Sequence, residues 1–203
     1  MPLSSPVSRQ LRHRRAIRLE AFERDDALWD IEACLTDEKP RDVPLASGVR
    51  PNGLPIHQLW LRITIDRELT IVDAEASSVW APYGRLCAES NSAYRTLIGL
   101  NLLRSFRREA NQVLRGVVGC THITELCGVL PTAAIQAFAG DVWNTENGSP
   151  FTTADAENGA AGEQPPFQLG RCHALRFDGP AVEEHFPRWF GHEPVERQSR
   201  PDK

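Results

Sequence analysis

The sequence predicts an α+β domain: an antiparallel β-sheet built of hairpins, helices packed after it, and a small C-terminal addition. Three observations predict it. Two pairs of segments with alternating apolar and polar residues, each pair joined by a polar turn, lie between Ala16 and Ala76. From Ser92 to Phe138 the apolar spacing becomes that of helices. Beyond Thr145, a stretch rich in Gly, Ala, Glu and Asn has no periodicity and sets a last ordered segment apart.

The totals exclude several classes. A chain of 203 residues with 41% hydrophobic and 25% charged residues can bury one proper core. A net charge of −4 gives no reason to expect a nucleic-acid partner. No apolar run reaches the length of a transmembrane helix, so no membrane partner is expected. Met1 to Arg18 is polar and arginine-rich and lacks the apolar core of a secretory signal. Five cysteines, odd in number and irregular in spacing, do not form a disulfide framework, which points to a reduced, cytoplasmic setting.

Element by element, residues 1–8 read as a disordered lead, 9–144 as the core domain, 145–164 as a flexible insertion, 165–192 as a C-terminal segment packing on the core, and 193–203 as a tail. Ala16 to Glu23 and Leu28 to Thr36 make a first hairpin around Arg24-Asp25-Asp26. The basic run Arg9 to Arg15 before it reads as a solvated strand edge, with His13 exposed. Asp37 to Pro55, rich in Pro and Gly, reads as a long loop of the kind that covers sites. Ile56 to Ile65 and Leu69 to Ala76 make the second hairpin, and Ser77 to Cys87 reads as irregular. His57 shares a face with Leu59, Leu61, Ile63 and Ile65, which places an imidazole at the end of an apolar row. Helical spacing covers Ser92–Leu103, Ser105–Leu114 and Thr121–Phe138, with Thr121 as N-cap of the last and Pro131 kinking or dividing it. Cys172 to Phe177 reads as strand or tight turn, and Ala181 to Phe190 as a short helix.

The chemistry concentrates in Gly119-Cys120-Thr121-His122-Ile123-Thr124-Glu125-Leu126-Cys127. His122 and Glu125 lie three apart, neighbours on one face near a helix start. Cys127 follows the apolar register and reads as core. Two arrangements remain open. In one, His57, His122 and Glu125 hold a divalent metal and leave positions free for catalysis. In the other, His122 is a general base oriented by Glu125, and Cys120, near a helix N-terminus and an imidazole, is a nucleophile. Trp80 and Tyr83, flanking a Pro–Gly bend, and His173 beside Cys172 are candidate substrate-binding residues. No CxxC pair, HExxH helix, Gly-rich phosphate loop or GxSxG elbow is present.

Several runs together resemble a bacterial family known as a domain of unknown function, DUF2889. They are Leu28 to Glu32 with Leu35 to Pro40, Pro55 to Arg62, Asp73 to Ala76, Gly119 to Leu126, and Cys172 to Arg176 with Phe186 to Trp189. The resemblance covers roughly residues 10 to 190. It implies an association with aromatic or acyl compound catabolism. A looser likeness is to the NifU-type iron–sulfur scaffold fold, which also places a hairpin before helices and would bring His57 to the Cys120/His122 region. The cysteine-rich ligand set of that scaffold is not here. The expectation is therefore a small-molecule enzyme of lyase or hydrolase type with His57, His122 and Glu125 at its centre. The alternatives are a non-catalytic metal or iron–sulfur accessory protein, and a small-molecule binding module.

Overall fold

The structure is a computed structural model and describes residues 3–143, 145 and 165–192. It is α+β, as expected. Four long strands, β1 (Arg14–Glu23), β2 (Trp29–Glu38), β5 (His57–Ile65) and β6 (Ile71–Trp80), form one antiparallel sheet in the order β1-β2-β5-β6. Both expected hairpins are present. In register, Arg15 lies opposite Asp37 and Asp37 opposite His57. Both registers pair odd residues with odd, so the odd-numbered residues of β1, β2 and β5 share one face. On β2 and β5 this is the core face, where Ile31, Ala33, Leu35, Leu59, Leu61, Ile63 and Ile65 are buried.

Three segments depart from expectation. The loop after β2 is not structureless: β3 (Val43–Leu45) and β4 (Gly48–Arg50) form a small hairpin within it. Short strands joined by a tight turn give too few residues for alternation to show. The stretch from Ser77 continues β6 to Trp80 and stops before Pro82, which cannot donate to a ladder. The helix expected over Ser92–Leu103 is a 3₁₀ run, Asn91–Leu97, followed by an extended strap. Gly99 adopts φ 88°, which breaks the helix, and its amide donates to the Ile71 carbonyl at 2.8 Å. The Leu102 amide then donates to Leu69 at 3.0 Å, so the strap pairs along the start of β6. Tertiary hydrogen bonding overrides a helical apolar spacing here.

The helices follow: α1 (Arg85–Ala88), α2 (Phe106–Val113), α3 (Thr121–Cys127) and α4 (Leu130–Phe138). The last two are the divided form of the single helical run. The break falls at Gly128 and Val129, and Pro131 sits in the first turn of α4, where its missing N–H costs nothing. Cys120, rather than Thr121, is the N-cap residue of α3. The helix lies over β2 and β5 and buries Ile123, Leu126 and Cys127. Among the described residues no helix is long and apolar enough to cross a membrane.

Contacts divide the chain into two compact units, Met1–Ala137 and Phe138–Lys203. The second has its own small core, in which Leu169, Val182 and Trp189 pack with Leu175, Phe177 and Phe186. Trp143 stands edge-on to Phe138 and Phe167, with centroids at 5.4 and 4.8 Å. Residues 172–177 are turns rather than a strand. The expected short helix is α5 (Pro180–His185), followed by a 3₁₀ turn at Pro187–Trp189. The flexible insertion expected at 145–164 and the tail at 193–203 lie outside the described residues, apart from Thr145, whose carbonyl accepts from Gln168 Nε2 at 2.6 Å.

Tyr94 sets where α3 begins. It is fully buried, and its hydroxyl meets the Cys120 carbonyl at 2.8 Å and Thr124 Oγ1 at 2.9 Å. A Cβ on Gly119 would lie 3.0 Å from Thr124 Oγ1 and 3.2 Å from both the Leu114 carbonyl and the Tyr94 hydroxyl. Only glycine leaves this close approach unstrained. Tyr94→Phe is expected to lower the unfolding free energy by about 1 kcal/mol in urea denaturation, because it removes the partner of the Thr124 hydroxyl and one of the two bonds to the Cys120 carbonyl, which keeps the Thr124 amide at 2.9 Å.

Candidate functional site

The site forms where the core face of the sheet runs out under the start of α3. Asp37 is the last odd residue of β2 and His57 the first of β5, so antiparallel pairing makes them cross-strand neighbours. Asp37 is 3% exposed, which is unusual for a carboxylate and requires compensation. It receives four donors. Oδ1 accepts from His13 Nε2 at 2.9 Å and Arg15 Nε at 2.8 Å. Oδ2 accepts from Arg15 Nη2 at 2.8 Å and His57 Nδ1 at 3.0 Å. The carboxylate has about four lone-pair sites, and all are taken. Burial alone would raise its pKa, but the Arg15 guanidinium, with His13 and His57, overcomes this and holds it down at about 2.

An ionised carboxylate only accepts, so the contacting nitrogens of His13 and His57 are donors. The proton on His57 Nδ1 leaves Nε2 as the lone-pair nitrogen in the neutral ring. Burial, and then the neighbouring His122, lower the His57 pKa below the ordinary 6.5, against the opposing pull of Asp37. The ring stays neutral near pH 7. His122, the second residue of α3, lies over it with ring centroids 4.0 Å apart and planes inclined by 31°. Cys120 Sγ lies 3.9 Å from His122 Nδ1. Donor atoms of Asp37, His57 and His122 all fall within 4.8 Å of one another.

The expected site residues are distributed as follows. His57, His122 and Cys120 meet. Glu125 is exposed and takes its partner from β1: Arg15 Nη1 donates to Glu125 Oε2 at 2.5 Å. It therefore reaches the imidazoles through Arg15 and Asp37. Trp80 pairs in register with Gln58, on the sheet face opposite His57, and its ring is stacked by Arg50 at 4.5 Å. Tyr83 is exposed. His173 belongs to the second unit, where Arg176 Nη1 donates to its carbonyl at 3.1 Å. Cys127 is core, and burial pushes its thiol up to about 12, which leaves it inert.

Three residues were overlooked or undervalued in the sequence: Asp37, Arg15 and His13. A signal for Asp37 was present. It ends the row Trp29, Ile31, Ala33, Leu35 as His57 begins the row Leu59, Leu61, Ile63, Ile65. A carboxylate and an imidazole closing adjacent apolar rows of antiparallel strands are placed face to face. For His13 and Arg15 the basic run was visible, but their parity with Asp37 is a property of the β1–β2 register.

Among known proteins, a family model described as a protein of unknown function, DUF2889, matches residues 13–136. Neither the curated proteins nor the solved structures hold a match, and the looser NifU-type likeness gains no support from them. The matched span is more than half of the chain and contains His13, Arg15, Asp37, His57, Cys120, His122 and Glu125. The chain belongs to the DUF2889 family.

Proposed function

We propose that the protein is an enzyme acting on a small, aromatic or carboxylated molecule by acid–base chemistry of lyase or hydrolase type. The observation that carries this is the buried Asp37 bonded to His57 Nδ1 at 3.0 Å, with His122 stacked on the same ring. A carboxylate behind an imidazole fixes its tautomer and orientation and stabilises the imidazolium formed when Nε2 takes a proton. His122 beside it works against a charge on His57, which keeps His57 Nε2 available as the base. Cys120 stands beside His122, where a thiol could add to a carbonyl. Five free thiols accord with a reducing, cytoplasmic setting.

A second reading is favoured by the convergence of Asp37, His57 and His122 donors within 4.8 Å. A divalent metal would take imidazole nitrogens. Asp37 does not fit as a direct ligand while four donors occupy it. It fits as the carboxylate that orients a ligating histidine. The metal would supply Lewis acidity to a bound carbonyl or water. An iron–sulfur role fits less well, because clusters are held by several thiolates and Cys120 is the thiol found against the imidazole pair.

Three measurements test these readings. Against a panel of aromatic and short-chain acyl esters, thioesters and hydroxy acids, His57→Gln and His122→Gln are expected to lose roughly 100- to 10,000-fold in turnover while remaining folded by circular dichroism. Folded variants with wild-type turnover would sink the acid–base assignment. Elemental analysis of untagged protein distinguishes the metal reading: stoichiometric metal lost in both variants supports it, and metal-free protein with full turnover rejects it. The third measurement is the pH dependence of stability. A carboxyl held below its unfolded value of 3.8 binds fewer protons when folded, so its stabilisation is complete above about pH 4 and is lost as pH falls through about 2. With screening by the partly exposed partners, the loss is about 1–2 kcal/mol. Urea denaturation of Asp37→Asn should lack this component.

A further inference from the structure

We infer that β1 is the interface of a two-fold dimer, in which the β1 strands of two copies pair antiparallel and join their sheets into one. β1 is the edge of its sheet, and among the described residues no main-chain hydrogen bond reaches its outer side. The opposite edge is treated differently: the strap through Gly99 and Leu102 bonds to the start of β6 and its turn. β1 is also long, and only Ile17 and Leu19 are half-buried. An open edge of this length is a template for a further strand.

The sequence of β1 selects which strand. Its basic residues Arg14, Arg15 and Arg18 precede its acidic residues Glu20 and Glu23. Antiparallel pairing of the strand with itself brings one half against the other. Centred on Leu19, the pairing sets Arg18 opposite Glu20, Ile17 opposite Ala21, Ala16 opposite Phe22, and Arg15 opposite Glu23. Two-fold symmetry repeats each pair, so every charge within this span meets its opposite. The neighbouring registers that keep the core faces aligned are rejected by charge. A shift one way puts Arg18 opposite Arg18, and a shift the other way puts Glu20 opposite Glu20. The one-residue slips set core-face residues against outer-face residues. The paired span, residues 15–23, is about 30 Å long. The contact between Arg18 and Glu20 within one copy, 3.2 Å, is exchanged for two contacts across the axis. Arg15, which holds Asp37, gains an acidic neighbour from the second copy and couples the interface to the candidate site.

Light scattering and sedimentation of the full chain test this. The expected mass is twice the 22.7 kDa of one chain. Arg18 and Glu20 side chains are 59% and 44% exposed, and Arg18 also lies over the Trp60 ring at 5.4 Å, so circular dichroism checks that each reversal leaves folding intact. Arg18→Glu alone, or Glu20→Arg alone, turns attraction into repulsion on both sides of the axis and should weaken the dimer roughly 10-fold or more. The double variant Arg18→Glu/Glu20→Arg restores opposite charges and should dimerise as the wild type does. A monomeric wild type, a dimer indifferent to both single reversals, or a double variant that stays dissociated overturns the proposal.

Discussion

The arrangement at the end of the sheet depends on one buried charge. A carboxylate withdrawn from water in the position of Asp37 costs several kcal/mol unless each lone pair finds a donor. Three segments supply them: His13 just before β1, Arg15 on β1, and His57 on β5. Arg15 supplies two parallel bonds, the geometry in which a guanidinium binds a carboxylate best. The same residue then reaches Glu125 on α3. One side chain thus ties the sheet edge, the buried acid and the overlying helix into a single network. His57 is held in one tautomer because Asp37 is ionised, and Asp37 remains ionised because Arg15 is beside it.

The second constraint is the height and direction of α3. With seven residues, that helix has little stability of its own. It is anchored below by Ile123 and Leu126 in the core and at its start by the Tyr94 hydroxyl. Gly119 allows that close approach. These contacts set the rings of His122 and His57 4.0 Å apart. Of these anchors, Gly119, Ile123 and Leu126 lie within a few positions of Cys120 and His122, and Tyr94 comes from 26 positions before Cys120.

Alternation along the strands made most of the sheet legible. The row starting at His57 could be read directly, as could the polar turns between hairpin partners, whereas Asp37 was assigned to the loop although β2 runs on to Glu38. The meeting of His57 with the Cys120/His122 segment was also an expectation of the sequence. Where reading failed, a short or exceptional backbone was the reason. The β3–β4 hairpin is too short to alternate, and the strap after Leu97 has helical spacing but a left-handed glycine and a strand edge to bond to. Glu125 is a helical neighbour of His122 in sequence, yet its carboxylate turns toward Arg15, a residue 110 positions away.

The sequence by itself determined the order of strands and helices, the parity that puts His57 on the core face, and the side-chain types available to the site. Periodicity carries that information because it is local. Tertiary structure decided which carboxylate stands behind His57. Asp37 and Glu125 are equally good acids as letters, and only the β2–β5 register and the reach of Arg15 separate them. The choice is made by burial: the acid that loses its water must gather every nearby donor, and the acid that keeps its water is free to serve as the outer partner of Arg15.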